Sequence, residues 1–358
     1  MIGLKGMVSM KFIHIADVHF DRPFVNLADK DGMGELRRLE QRRVFKEVIL
    51  KVKEEKVDCL FISGDLYEHQ YVKKSTIEFI NNCFKDIPDT KVFIAPGNHD
   101  PFLKNSYYSK FSWNDNVVIF DYDGDKIELP DIDIYGYGFN DFSCSGFDLV
   151  DKLNNDKANI LVIHGTLDGA EEKYNSISKK ELEKFDYVAM GHIHKPMYDG
   201  KIVYPGSMIS LGFDEIWDHG YILGEISLEG LKKEFIKIKS GEFIEKKIDV
   251  TKILSIEELI EKINDIKVLE NQFVKVVLVG KREFEINTSE IYKLINNERI
   301  IKIKNMTEIA YDLEKISRES TLKGIFAKEM LEKINSECSM EEKEILEKAV
   351  EIAFDALK

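Results

Sequence analysis

Tyr187-Val188-Ala189-Met190-Gly191-His192-Ile193-His194 decides the reading of this chain. The first four residues are an apolar run of strand type, and a glycine ends it. The two histidines that follow are two positions apart. At a strand end that spacing points both imidazoles to one side, so both can reach one site. Imidazole is a good ligand for Mn, Fe or Zn.

The same arrangement recurs four more times. The run Phe12 to Ala16 ends in Asp17-Val18-His19, again at spacing two. The run Cys59 to Ser63 ends in Gly64-Asp65. The run Val92 to Ala95 ends in Pro96-Gly97-Asn98-His99-Asp100, and Ile160 to Ile163 ends in His164-Gly165. In open α/β sheets the ligand crevice lies outside the carboxyl ends of the strands, where loops present side chains from distant parts of the chain. Gly64, Gly97, Gly165 and Gly191 allow the sharp turns and close backbone approach such a site needs. The donor set is rich in imidazole and has carboxylates and an amide but no thiolate. It suits Mn, Fe or Zn better than Ca or a structural Zn held by cysteine. The ligands are too many for one ion. Two ions sharing an aspartate fit the count, an arrangement common in phosphate ester hydrolysis.

Asp-Val-His, Gly-Asp-Leu, Gly-Asn-His-Asp, Ile-His-Gly and Gly-His-Ile-His, in this order, resemble the five signatures of the calcineurin-like metallophosphoesterases. More narrowly the chain is similar to the SbcD/YhaO-type nucleases, the nuclease subunits of SbcCD-like complexes. That match rests on Phe12-Ile-His-Ile-Ala-Asp-Val-His19, Tyr204-Pro-Gly-Ser207, Gly212-Phe-Asp-Glu215 and His219-Gly-Tyr221. It is strong from residue 10 to about 227 and looser beyond.

The resemblance implies an α/β fold, a two-sheet sandwich flanked by helices (α/β/β/α), with a small α/β capping domain and a C-terminal helix pair. It implies that Asp17, His19, Asp65 and His194 hold one divalent ion, and that Asp65, Asn98, His164 and His192 hold the other, with Asp65 bridging. The metal is expected to be Mn, with Fe or Zn as alternatives. His99 is expected not to ligate but to act on the leaving oxygen, oriented by Asp100. Phosphatases of the superfamily that act on phosphoprotein carry an arginine just past the second motif. Here the stretch is Leu66-Tyr67-Glu68-His69, which favours a diester. Relatives linked to exonuclease action place a histidine three residues after the second-motif aspartate. That slot is Glu68 here, with His69 one later, a departure that favours diester hydrolysis over exonuclease action on duplex ends. The expected activity is a metal-dependent DNA nuclease acting in repair with an SbcC-like ABC-type ATPase. A small-molecule phosphodiesterase, and a scaffold with a vestigial site, are the alternatives.

Composition bounds these readings. The chain has 358 residues, 44% of them hydrophobic and 11% aromatic, enough for one large domain and something smaller or for two to three domains. Cys59, Cys83, Cys144 and Cys338 are scattered, so a reducing cytoplasm is the expected setting. No 18-residue apolar run exists, which excludes a membrane span of that kind. Net charge is −14: residues 241–358 have 20 basic against 25 acidic residues, and residues 1–240 have 31 against 40. Such acidity argues against tight autonomous DNA binding and for a partner that supplies the grip, while two divalent ions would reverse the charge at the site itself. The oligomeric state, a homodimer included, is left open.

Along the chain, residues 1–9 read as an extension and 10–240 as the nuclease domain. Helices are predicted over 35–56, with Leu36, Leu39, Val48 and Val52 near helical spacing, and over 73–86. Arg37, Arg38, Arg42 and Arg43 read as a solvated face rather than a phosphate contact. His14 reads as a core residue. Aromatics at 107–113 line the sheet edge or stack a base, the edge being favoured. Strands at 116–120, 126–129 and 132–139 predict a second, antiparallel-rich sheet. Residues 241–316 form the capping unit and 317–358 a helix pair, opened at its second helix by a capping box of Ser339 and Glu342. The stripes Leu322/Phe326/Met330 and Leu346/Val350/Ala353/Leu357 either pack on each other or dock a partner.

Overall fold

Phe12, Phe61 and Phe93 stand on three neighbouring strands, and with Phe120 their rings form a ladder at 5.4, 5.9 and 6.0 Å centroid spacing. This ladder is the inner face of the first of two sheets. The computed structural model describes residues 9–24, 32–169, 174–336 and 339–357. The chain divides between Phe243 and Ile244 into two units.

In the first unit, β1 is Met10–Ile15, β2 Cys59–Ile62, β3 Lys91–Ile94, β4 Val117–Ile119, β5 Asp125–Glu128, β6 Ile132–Tyr137 and β7 Ala158–His164. Short strands β8 (Thr166–Leu167) and β9 (Ser176–Ile177) follow, then β10 (Tyr187–Gly191), β11 (Ile202–Val203), β12 (Gly220–Ser227) and β13 (Gly230–Lys237). Helices α1 (Met33–Glu54), α2 (Lys74–Lys85), α3 (Tyr107–Lys110) and α4 (Lys179–Leu182) lie between them. One sheet has the order β13-β12-β1-β2-β3-β4 and the other β11-β10-β7-β6-β5. Between them pack the phenylalanine ladder and Ile134, Ile160, Val162, Tyr187 and Ala189 of the second sheet. Truncating one such buried ring to alanine costs about 3–5 kcal/mol. The outer face of the second sheet buries Leu161, Ile163, Val188 and Met190 under Leu182 and Phe185. Strands buried on both faces read as continuous apolar runs, which is why β2, β7 and β10 show no alternation.

Three expectations need correction. The second sheet is mainly parallel: β6–β7, β7–β10 and β10–β11 all run parallel, and only β5–β6 is antiparallel. Strand β4 belongs instead to the first sheet, parallel to β3. On α1, Leu36 and Leu39 are exposed, whereas Arg37 and Gln41 are buried with Val44, Phe45, Val48 and Val52. The buried face of that helix starts one residue away from the apolar stripe, because Arg37 and Gln41 have partners inside the protein. Cys59 is a buried thiol beside the Met10 sulfur.

Strand β14 (Glu242–Asp249) begins just before the division after Phe243, and the second unit continues with α5 (Ile256–Asn264), β15 (Gln272–Val279), β16 (Lys281–Arg282), α6 (Thr288–Leu294), β17 (Ile300–Asn305) and β18 (Glu308–Ile309), then α7 (Leu313–Ile316), α8 (Leu322–Ile334) and α9 (Met340–Ala356). The order β14-β15-β17 forms its main sheet, and Leu259, Ile263, Val276 and Ile303 fill its core. A separate small cluster holds α8 to α9 through Ala327, Met330, Val350 and Phe354, with Phe326, Leu346, Tyr311, Leu313 and Ile316 against it. Phe326 and Leu346 therefore serve the pair's own packing. Among the described residues of this segment, Leu322, Ile325, Ile345, Ile352 and Leu357 are exposed apolar side chains. The capping box forms, with the Ser339 N–H donating to Glu342 and the Glu342 N–H to Ser339 Oγ. Residues 1–8 and Cys338 lie outside the described residues.

Candidate metal centre

Every predicted site residue sits at the carboxyl end of a strand, and both sheets end at the same edge. Asp17 and His19 follow β1, Asp65 follows β2, Asn98, His99 and Asp100 follow β3, His164 ends β7, and His192 and His194 follow β10. The two sheets meet closely here. A Cβ on Gly191 would lie 1.8 Å from the Ser63 carbonyl oxygen, and one on Gly64 (φ +84°) 2.3 Å from His164 Nδ1. Four of the site residues adopt left-handed backbone: Asp17 at φ 50°, His19 at 52°, Asp65 at 53° and His192 at 102°. Such conformations cost a non-glycine residue about 1–3 kcal/mol each and persist only where surrounding structure enforces them. Here the enforcement includes backbone bonds from Asp17 N to Gly64 O and from His19 N to Asp65 O.

The side chains form overlapping groups of potential ligand atoms: Asp17 with His19 and His194, Asp65 with His164 and His192, and His19 with Asp65 and His99. In the first, His19 Nε2 lies 3.1 Å from His194 Nε2. The other nitrogen of each ring faces a carboxylate, His19 Nδ1 at 2.9 Å from Glu68 Oε1 and His194 Nδ1 at 2.5 Å from Glu215 Oε1. Both Nδ1 atoms therefore carry their protons outward, and two lone pairs face each other across 3.1 Å. In the second group, His164 donates Nδ1–H to the Ser63 carbonyl at 2.8 Å, and its Nε2 faces Asn98 Oδ1 at 3.0 Å and Asp65 Oδ2 at 3.4 Å. His192 Nδ1 lies 3.2 Å from the same Asn98 oxygen. Acceptor facing acceptor at these distances is repulsive unless a proton or a cation lies between them. With Asp17, His19, Asp65 and His164 almost fully buried, the cage fits divalent cations.

The electrostatics agree. Burial opposes a charge on His164, but Asp65 and Asp17 outweigh it and push the imidazole up to about 9. Burial would raise Asp65, yet the surrounding histidines hold it well below the usual carboxylate range. Burial, joined by the His164 charge, drives His192 down to about 3. The cage attracts positive charge at its centre, while burial lowers the imidazoles of both His192 and His19. His14 is a buried core histidine, 2.8 Å from the Tyr187 hydroxyl and 3.0 Å from Ser63 Oγ, and burial lowers it to about 3.

Asp100 does not orient His99. Its carboxylate accepts the N–H groups of Gly97, Asp65 and Leu66 and the Tyr108 hydroxyl, at 2.6 to 3.0 Å. It ties the second and third ligand loops together, and Tyr108 is buried for that purpose rather than free to stack a base. The partner of His99 is Glu68, whose Oε2 lies 2.8 Å from His99 Nδ1 while its Oε1 holds His19. The functional residues that sequence reasoning misses are thus Glu68 and Glu215. Their signals are visible, three positions after Asp65 and within Gly212-Phe-Asp-Glu215, but neither announces a histidine partner. Glu68 is drawn down to about 2, because its bonds to His19 and His99 outweigh burial. For His99, burial acts downward, but the Glu68 bond and the charges of Asp65, Glu68 and Asp100 lift it to about 9. His69, offered by the sequence as a displaced functional histidine, packs instead near the Phe142 ring at 5.7 Å and donates its backbone N–H to the His99 carbonyl.

A family model described as calcineurin-like phosphoesterase matches residues 10–196, more than half of the chain. This chain belongs to the calcineurin-like phosphoesterases. Its class of reaction is hydrolysis of phosphate esters. Among curated relatives, the metallophosphoesterase YhaO of Bacillus subtilis, called uncharacterized, is 24% identical over 288 residues, covering 72% of this chain and 68% of its own. The SbcD subunit of nuclease SbcCD from Staphylococcus epidermidis is 26% identical over 273 residues, covering 64% of this chain and 70% of its own. The solved structure of TT1561 of Thermus thermophilus aligns with 64% of this phosphoesterase and 99% of its own chain, at 11% identity and a TM-score of 0.37. Among the described residues, no helix of this phosphoesterase is long and apolar enough to cross a membrane.

Proposed function

We propose that this phosphoesterase is a two-metal DNA nuclease that hydrolyses phosphodiesters and works with an SbcC-like ABC-type ATPase in the cytoplasm. The observation that carries the reading is that Asp65 Oδ2 lies 3.7 Å from His19 Nε2 and 3.4 Å from His164 Nε2, between the Asp17/His19/His194 group and the His164/His192 pair. Asp17, His19 and His194 would hold one ion, Asn98, His164 and His192 the other, and Asp65 both. Bound ions of this kind supply Lewis acidity toward the phosphoryl oxygens and the attacking water. The chain supplies the rest. Asp65 keeps the halves in register, and its Oδ1 accepts the His99 N–H at 2.8 Å. Glu68 holds His99 by Nδ1, so the ring's Nε2–H is free to protonate the leaving oxygen from a half-open position.

DNA as substrate and an ATPase as partner are supported by the likeness to the SbcD subunit of nuclease SbcCD. The net charge of −14 argues against tight autonomous DNA binding and supports a partner chain that supplies the grip on a polyanion. In this reading the outward Leu322, Ile325, Ile345 and Ile352 meet the ATPase. Mn is the proposed metal, since a histidine-rich shell suits it better than Mg, which prefers oxygen.

The test strips the protein with chelator, restores Mn or Mg, and compares linear duplex DNA, single-stranded DNA and bis-p-nitrophenyl phosphate. Cleavage of DNA with Mn and weak activity with Mg is expected. Hydrolysis of the small diester with intact DNA in every condition would return the reading to a small-molecule phosphodiesterase.

A further inference from the structure

Arg37 is a fully buried guanidinium on the first turns of α1, and it belongs to none of the ligand motifs. It donates to the Ser210 carbonyl and to Glu40, and the Ser210 hydroxyl donates in turn to the Glu215 carbonyl at 2.9 Å. Glu215 is the carboxylate that holds His194 Nδ1. Its second oxygen accepts the Leu211 N–H at 2.8 Å and the Ser207 hydroxyl at 3.2 Å, so loop 207–215 and His194 are set together. The other side of Arg37 lies over the Phe243 ring at 5.2 Å, and Glu40 accepts the Gly241 N–H at 2.6 Å. One helical turn further, Gln41 donates to the carbonyls of Val18 and His19 at 2.9 and 3.1 Å. The same stretch of α1 therefore grips the loops that carry His19 and His194. The other half is held from elsewhere: His164 is fixed by the Ser63 carbonyl, and Asn98 and His192 close around it.

A buried arginine is expensive unless its bonds are used, and here they hold a loop that itself holds a metal-type histidine. We propose that Arg37 is a positioning residue for the Asp17/His19/His194 half of the metal centre alone. It acts through Ser210 and Glu215, and it ties that half to the segment 241–243 where the chain leaves the first unit. The inference rests on the two-metal reading above and assigns one half of it a separate support.

Calorimetric titration of the chelator-stripped protein with Mn tests it, with the thermal transition followed alongside. The wild type is expected to take up two ions; uptake of fewer would count against the two-metal reading itself, not against Arg37. Given two ions in the wild type, Arg37→Met is expected to weaken one binding event about tenfold or more and leave the other unchanged. In a His194→Ala background the same substitution should add nothing, while in a His192→Ala background it should weaken the remaining event. Phe243→Ala removes the ring that packs on the guanidinium and on Phe213 of the same loop, and should produce a smaller loss at the same event. Two unchanged binding events in folded Arg37→Met, or equal weakening of both, overturn the proposal. Should Arg37→Met not fold, Arg37→Lys decides by the same reading, because its single ammonium cannot reproduce the forked contact to Glu40 and Ser210.

Discussion

The two halves of the candidate metal centre are built from similar ligands but backed differently. Behind His19 and His194 stand carboxylates, Glu68 and Glu215. Behind His164 stands the neutral carbonyl of Ser63, and beside His192 lies the Tyr174 ring, with centroids 4.9 Å apart. A carboxylate behind an imidazole fixes its tautomer and raises its basicity; a carbonyl fixes the tautomer without adding charge. On that ground the first half is expected to be the stronger seat for a cation, while burial still lowers the His19 imidazole. Chemically similar side chains acquire different roles from what lies one residue deeper.

Removing the shared residue should erase the difference. Asp65→Asn is expected to lose both ions by metal analysis and to lower diester hydrolysis at least about a thousandfold. Retention of one tightly held ion would show that the halves do not depend on a common bridge. His99→Ala should lower hydrolysis roughly a hundred- to a thousandfold while both ions still bind. Loss of an ion in that variant would move His99 into the coordination shell, where its place near His19 and Asp65 would allow it to go. Because its imidazole is lifted to about 9, His99 is protonated at neutral pH and loses its proton as pH rises. Bound cations pull that value back down. Phosphoester hydrolysis by the wild type should therefore decline on the alkaline side, at or below about pH 9. A decline of the same shape in His99→Ala would remove His99 as its cause.

The difference between the halves is most directly read in titrations of single-site variants. His194→Ala should abolish the tighter Mn event and His192→Ala the weaker, the two differing by about ten- to a hundredfold. Indistinguishable affinities would mean that Glu68 and Glu215 do not tune the ions. The smallest effect belongs to the other unit. Ile345→Glu should change the thermal transition little, within about 0.5 kcal/mol, because the side chain is exposed. Phe326→Glu should lower it clearly, because that ring packs in the helix-pair cluster. If Ile345→Glu also leaves binding to an SbcC-like ATPase intact, the outward apolar residues are not the docking surface.

Much of this architecture is legible in the sequence. Apolar runs ending in Asp17, Asp65, Asn98, His164 and His192 announce buried strands with ligands at their ends, and the strands are there. His14 declares itself as core by its place inside such a run. Other features are not legible. Leu36 and Leu39 keep helical spacing yet face outward, because Arg37 and Gln41 find buried partners far away in sequence, at Ser210 and Val18. Strand β4 pairs with β3 and not with the strands that follow it, and so short an apolar run carries no mark of which sheet it will join.

By itself, then, the sequence determined the residue types of the site, their order and their positions at strand ends. Those follow from local rules: apolar content makes a strand, glycine lets it turn, and spacing two puts both side chains on one face. Only the tertiary structure decided which carboxylate serves which histidine. Glu68 rather than Asp100 meets His99, and Glu215 meets His194. Such pairings depend on where separate loops come to rest against each other. A carboxylate next to a ligand in the chain and one 21 residues away are equally eligible until packing brings one of them within hydrogen-bond distance.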